Sequence, residues 1–359
     1  MNQKTVHNAM DNLSSLLNYT APAAGQNNAS GALVFRTTVT SPFPLNRIIF
    51  GAPGTGKSHT LEKDSEALLP SPLNYERVTF HPDYTYAQFV GGYKPVTDEN
   101  GEIRYKFVAG PFTRVLTAAL ANARTDNPQP FLLIVEEINR ARVAAVFGDI
   151  FQLLDRDEYG VSDYHINVSE EMKRYLCEKL NIEPAELTEL RIPNNMFIWA
   201  SMNSADQGVY PMDTAFKRRW SFEYLDIDSN QQLIRGRITL GTGEKAKDIE
   251  WNRLRRAINE RMSADFHINE DKLLGPFFLS KDAIATDDTG RIKNPAHFIN
   301  SFKSKVLMYL FEDAAKQHRN QLFDGCNASR YSGICSAFDA LGIEIFGESF
   351  IELYNQIGD

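Results

Sequence analysis

The chain has 359 residues, 43% hydrophobic and 23% charged, with a net charge of −8 and a pI near 5.5. This is ordinary globular composition and enough chain for two domains. It excludes a uniformly basic nucleic-acid-binding surface, though not a local basic stripe. Cys177, Cys326 and Cys335 lack metal-site spacing and are odd in number, so they read as free thiols in a reducing cytoplasm. No apolar run approaches a membrane span, and the N-terminus lacks a signal-peptide core, so a cytoplasmic protein without membrane contact is expected.

Residues 1–41 read as a polar arm and linker. Residues 5–19 fit one helix, and residues 21–31 are small and turn-rich. The arm is too short for a folded DNA-reading domain. From residue 42 to 226, strand-like and helix-like stretches alternate, the pattern of a parallel sheet with helices on both faces.

The first strand, over 47–50, runs into Gly51, Ala52, Pro53, Gly54, Thr55, Gly56, Lys57 and Ser58, then His59 and a helix to about residue 69. The loop fits G-x-x-x-x-G-K-[ST] at every fixed position, and strand, glycine loop and helix start are the context this motif needs. Glycines let successive N–H groups converge on phosphate oxygens, and the helix N-terminus adds partial positive charge. Lys57 is placed to reach the β- and γ-phosphates, and Ser58 to ligate Mg²⁺. The loop reads phosphates and not the base, so ATP and GTP stay equally open.

A strand over 77–80 follows. Residues 93–108 hold a turn at Asp98, Glu99, Asn100 and Gly101 between extended stretches, which predicts a β-hairpin. Residues 112–123 are helical in pattern. The continuous apolar run Phe131, Leu132, Leu133, Ile134, Val135 predicts a strand buried on both faces. It ends in Glu136 and Glu137. We assign Glu136 to the metal shell and Glu137 to orienting the attacking water. The metal-side position usually carries Asp, so the longer Glu136 is a departure. Residues 142–154 predict an amphipathic helix, with Val146, Phe147, Ile150, Phe151 and Leu154 in the core. Residues 156–192 read as a charged insertion with a helix over 169–180, and 197–201 as another buried strand. Residues 227–359 predict a smaller helical domain, mostly helical in pattern over 231–262, 303–317 and 336–357, with a polar loop over 281–295.

The strand over 197–201 leads into Met202, Asn203, Ser204, Ala205 and Asp206. With the run from Val135 through Ile138, Asn139 and Arg140, the run from Val146 to Ile150, and Arg218 and Arg219 before Trp220, this resembles the McrB family of AAA+ motor proteins. Ser204 stands where the family carries Thr. Residues 80–90 and the segment from Leu274 to Leu279 are also similar, and the likeness covers roughly residues 43–320. The resemblance implies an AAA+ P-loop core followed by a helical lid. It implies Asn203 as a polar sensor of the γ-phosphate or water, and Asp206 as a residue that helps position that site. Arg218 and Arg219 would face a neighbouring subunit's nucleotide, either of them being the trans arginine. Trp199 and Trp220 are read as core; His81 and Asp83 are weaker site candidates, a lone His in a loop being usually structural.

It further implies a hexameric ring, a partner nuclease subunit of the McrC type, DNA contact through the assembled complex, and a role in restriction of foreign DNA. Two alternatives remain at this level: a MoxR-like ATPase that remodels protein, and a nucleotide-switched scaffold with little turnover. Glu137, Asn203 and the two arginines weigh against the scaffold.

Overall fold

The computed structural model describes residue 33 and residues 38–97, 101–204 and 208–358. The expected helix over 5–19, the linker over 21–31, the hairpin turn residues Asp98, Glu99 and Asn100, and Asp206 lie outside them. The chain forms two compact units. Among the described residues, one comprises those within 33–49, 58–202 and 208–223; the other comprises 50–57, 203–204 and 224–358.

The first unit is built on a five-stranded sheet of order β2-β5-β6-β1-β7. Its strands are β1 (Asn46–Gly51), β2 (Tyr75–Thr79), β5 (Phe131–Glu136), β6 (Met196–Asn203) and β7 (Ser221–Tyr224). β5 pairs in parallel with β2 and with β6. Its first five residues are all buried, because helices cover both faces of a central parallel strand. β3 (Gly91–Thr97) and β4 (Ile103–Ala109) form the expected antiparallel hairpin.

Helix α1 (Lys57–Leu68) follows the phosphate loop, and α2 (Tyr86–Phe89) precedes the hairpin. α3 (Pro111–Ala123) starts with proline at its first turn and is buried over nearly its whole circumference. The predicted helix over 142–154 is interrupted. α4 (Val143–Phe147) stops at Gly148, and a 3₁₀ stretch, Gly148–Leu154, continues. Gly148 adopts φ +53, and a Cβ there would lie 2.8 Å from the Tyr86 ring. The apolar spacing survives the break, so Val146, Phe147, Ile150 and Leu154 remain in the core.

Helix α5 (Glu170–Leu180) is capped by the Ser169 hydroxyl, which accepts from the Met172 N–H at 3.3 Å. Arg156 closes the insertion at its base. Its guanidinium donates to the carbonyls of Ile192 at 3.0 Å and Met196 at 3.1 Å. Desolvation of this half-buried side chain lowers its pKa to about 9, so it stays charged at neutral pH. α6 (Thr214–Lys217) is capped by Asp213. Trp199 and Trp220 are both buried.

The second unit has a separate core. The expectation of a mostly helical 231–262 is corrected by an antiparallel pair, β8 (Arg237–Leu240) and β9 (Lys247–Glu250). Ile238 and Leu240 are buried between exposed neighbours, a period of two, and Gly241 and Gly243 turn the chain at positive φ. Helix α7 (Trp251–Glu260) then starts where the Glu250 carboxylate accepts from the Asn252 and Arg253 N–H groups at 2.8 and 2.7 Å. Further helical segments include Pro295–Ser301, Tyr331–Leu341 and Glu348–Gln356. Among the described residues, no helix is long and apolar enough to cross a membrane.

Candidate functional site

The phosphate loop leaves β1 at Gly51. Gly54 and Gly56 take φ +78 and +96, a region open to glycine at little cost. The Thr55 hydroxyl donates to the Ala52 carbonyl at 2.9 Å and closes the loop from inside. Lys57 is buried, and its ammonium donates to the carbonyls of Gly51 at 3.0 Å and Ala52 at 2.9 Å. Loop carbonyls thus hold the cation that the sequence assigns to phosphates. Pro53 is half-buried, whereas Ser58 and His59 are exposed in the first turn of α1.

Glu136 ends β5. The Ser58 hydroxyl donates to one of its carboxylate oxygens at 3.1 Å, and the Ser201 hydroxyl donates to the same oxygen. The other oxygen lies 3.7 Å from the Arg77 guanidinium, which is also paired with Glu62 at 2.7 Å. Strand register explains this meeting. Thr79 pairs with Glu136, and Val135 pairs with Ala200, so Ser201 follows on β6 beside Glu136. The sequence reading brought Ser58 and Glu136 together but assigned no role to Ser201 or Arg77. The only sequence signal for Ser201 is that it is the first polar residue after the buried run of β6.

Glu137 sits in the left-handed region at φ 55, ψ 45, a conformation that costs a non-glycine residue roughly 1–2 kcal/mol. The turn redirects its side chain away from the strand path. Its N–H donates to the Ser201 hydroxyl at 3.2 Å, and its carboxylate accepts from Arg140 at 3.2 Å. One serine hydroxyl therefore serves both glutamates, donating to one and accepting from the other's backbone. Asn139 is buried, and its carbonyl accepts from the Tyr210 N–H at 2.8 Å. Asn203 is the last residue of β6 and half-buried. His81 and Asp83 are exposed in the loop before α2.

The two adjacent arginines differ. Arg219 is folded onto its own unit: it pairs with Asp155 at 2.6 Å, donates to the Ala215 carbonyl at 2.6 Å and covers the Phe151 ring at 4.0 Å. Arg218, one residue earlier, is exposed.

A family model described as an AAA domain of the dynein-related subfamily matches residues 46–220. The chain is 43% identical over 325 residues to the type II restriction enzyme BsuMI component YdiS of Bacillus subtilis strain 168, covering 84% of this chain and 88% of that protein. It is 29% identical over 185 residues to the type IV methyl-directed restriction enzyme EcoKMcrB subunit of Escherichia coli K12. That match covers 51% of this chain and 35% of the relative, about a third of its length. A solved structure of a candidate ATPase from Cytophaga hutchinsonii matches at 17% identity and a TM-score of 0.30, over 53% of this chain and 45% of that one.

Proposed function

The chain belongs to the McrB-like family of AAA+ ATPases, and we propose that it is the nucleotide-hydrolysing subunit of a DNA restriction complex. The observation that carries this reading is the Ser58–Glu136 contact at 3.1 Å, which joins the end of the phosphate-loop motif to the carboxylate strand. A hydroxyl and a carboxylate are hard oxygen donors and fit a magnesium ion that takes its remaining ligands from water and phosphate. Bound there, Mg²⁺ would neutralise charge on the β- and γ-phosphates.

The chain's own groups then divide the work. The loop N–H groups and Lys57 bind the phosphates of ATP or GTP. Ser201 holds the Glu136 carboxylate and the Glu137 backbone in fixed relation. Glu137, released from Arg140, orients the attacking water and takes its proton. Asn203 contacts the γ-phosphate or that water, with Asp206 supporting it. Arg218 reaches the nucleotide of a neighbouring subunit in a homo-oligomeric ring, of six subunits by the family resemblance, and offsets transition-state charge. Arg219 supports the segment that carries Arg218.

Both curated relatives are named as parts of restriction enzymes, which favours restriction over protein remodelling. We assign DNA cleavage to a partner nuclease subunit in the cytoplasm. The test is ATP and GTP hydrolysis by the purified chain, with Mg²⁺ and with chelator, alone and with the protein encoded beside it, alongside DNA cleavage. Expected are magnesium-dependent turnover, raised by the partner, and cleavage only with the partner. Cleavage by this chain alone would overturn the division of labour.

A further inference from the structure

Within the second unit, residues 274–278 run along the phosphate loop, main chain against main chain. The Gly275 N–H donates to the Pro53 carbonyl at 2.9 Å, and the Phe277 N–H donates to the Gly54 carbonyl at 2.7 Å. The approach leaves no room for side chains. A Cβ on Gly275 would lie 2.3 Å from the Gly54 carbonyl carbon and 2.4 Å from the Thr55 nitrogen. A Cβ on Gly54 would lie 2.5 Å from the Phe278 nitrogen.

The segment is also held from behind by α7. The Asn259 amide grips Leu274 at two points: it donates to the Leu274 carbonyl at 2.9 Å and accepts from the Leu274 N–H at 2.8 Å. Arg255 has no exposed surface and donates to the same carbonyl at 2.8 Å. Its guanidinium is anchored on Asp228 at 2.5 Å and on Asn252 at 2.9 Å. Burial lowers the Arg255 pKa, and Asp228 opposes that shift. A buried charge with this many matched acceptors is a fixed point in the unit.

In a trans peptide the C=O and the next residue's N–H point in opposite directions. Holding the Pro53 and Gly54 carbonyls on the 274–278 side therefore turns the Gly54 and Thr55 N–H groups to the other side of the loop. That is where a phosphate nest must gather its donors. We propose that residues 274–278, locked by Asn259 and Arg255, form a positioning strap that sets amide directions in the phosphate loop and thereby its affinity for a triphosphate chain. Asn259 and Arg255 are positioning residues: they act through the strap's backbone. The proposal rests on the nucleotide-binding reading above.

The test uses the full chain carrying Gly275→Ala, Asn259→Ala or Arg255→Lys. Binding is titrated with fluorescent non-hydrolysable ATP and GTP analogues and by competition with inorganic tripolyphosphate, with a thermal midpoint for every variant. Phe338→Ala removes a buried ring that stacks on Phe302 in the same core and serves as the stability control. Gly275→Ala and Asn259→Ala are expected to lose about tenfold in affinity for nucleotide and tripolyphosphate alike, the scale of one or two misaligned phosphate hydrogen bonds. Arg255→Lys keeps the charge, covers the case in which another variant fails to fold, and is expected to lose about threefold. Phe338→Ala should lower the thermal midpoint yet bind as the wild type does. Wild-type affinity in the folded strap variants, an equal loss in Phe338→Ala, or a loss for nucleotide but not tripolyphosphate would each overturn the strap. A wild-type chain that binds no nucleotide would overturn the underlying reading and the strap together.

Discussion

At the end of β5 side chain meets side chain, whereas at the phosphate loop main chain meets main chain. Ser58, Ser201 and Arg77 gather on the Glu136 carboxylate through their own functional groups. Pro53 and Gly54 are held by the amides of Gly275 and Phe277, and Lys57 rests on the carbonyls of Gly51 and Ala52. The first arrangement is vulnerable to deletion of a single group. The second, apart from Lys57, is held by backbone groups and is vulnerable to the addition of one carbon atom at Gly54 or Gly275. The two should fail differently, the carboxylate cluster in turnover and the loop in affinity.

The largest expected effect comes from Lys57→Ala, because Lys57 is the only cation in the loop. Nucleotide binding and hydrolysis should both vanish, measured by titration and phosphate release, with circular dichroism close to wild type. Normal turnover would remove the phosphate loop from the account.

Next is the contrast between the two arginines. Arg218→Ala should lower turnover on the order of 10²-fold or more, as loss of a trans arginine does, with little change in thermal midpoint. Its mixture with Lys57→Ala chains should regain activity at mixed interfaces. Arg219→Ala should chiefly lower the thermal midpoint, since it loses an ion pair to Asp155 and the cover over Phe151. The reverse pattern would exchange their roles.

Ser201→Ala is expected to act more mildly. It removes a donor to Glu136 and an acceptor for the Glu137 N–H, so turnover should fall about tenfold, the scale of one or two hydrogen bonds. Affinity should stay near wild type. A loss confined to affinity would place Ser201 with the loop instead.

The same contrast explains what could be read in advance. Glu136 stands out because β5 is an unbroken apolar run with a carboxylate at its end, and the phosphate loop because its glycines and lysine follow fixed spacing. Ser201 was not legible as a partner, since its role depends on the β5–β6 register, a pairing between residues 65 positions apart. The 274–278 strap shows in sequence as a family-like segment but not as a partner of the phosphate loop, because its bonds are backbone bonds and carry no side-chain signature. The break at Gly148 was missed because the core spacing continues through it. β8 was missed because a four-residue alternation is too short to outweigh the helical pattern around it.

The most direct test is a steady-state titration of nucleotide against Glu137→Gln and Gly275→Ala in parallel, with direct binding measured on the same preparations. For Glu137→Gln the account predicts turnover reduced on the order of 10²-fold or more and binding retained, as for loss of a general base. For Gly275→Ala it predicts KM raised about tenfold with kcat within about threefold of wild type. If both variants move the same constant, or if Glu137→Gln loses binding and turnover equally, the separation between carboxylate cluster and phosphate loop is wrong.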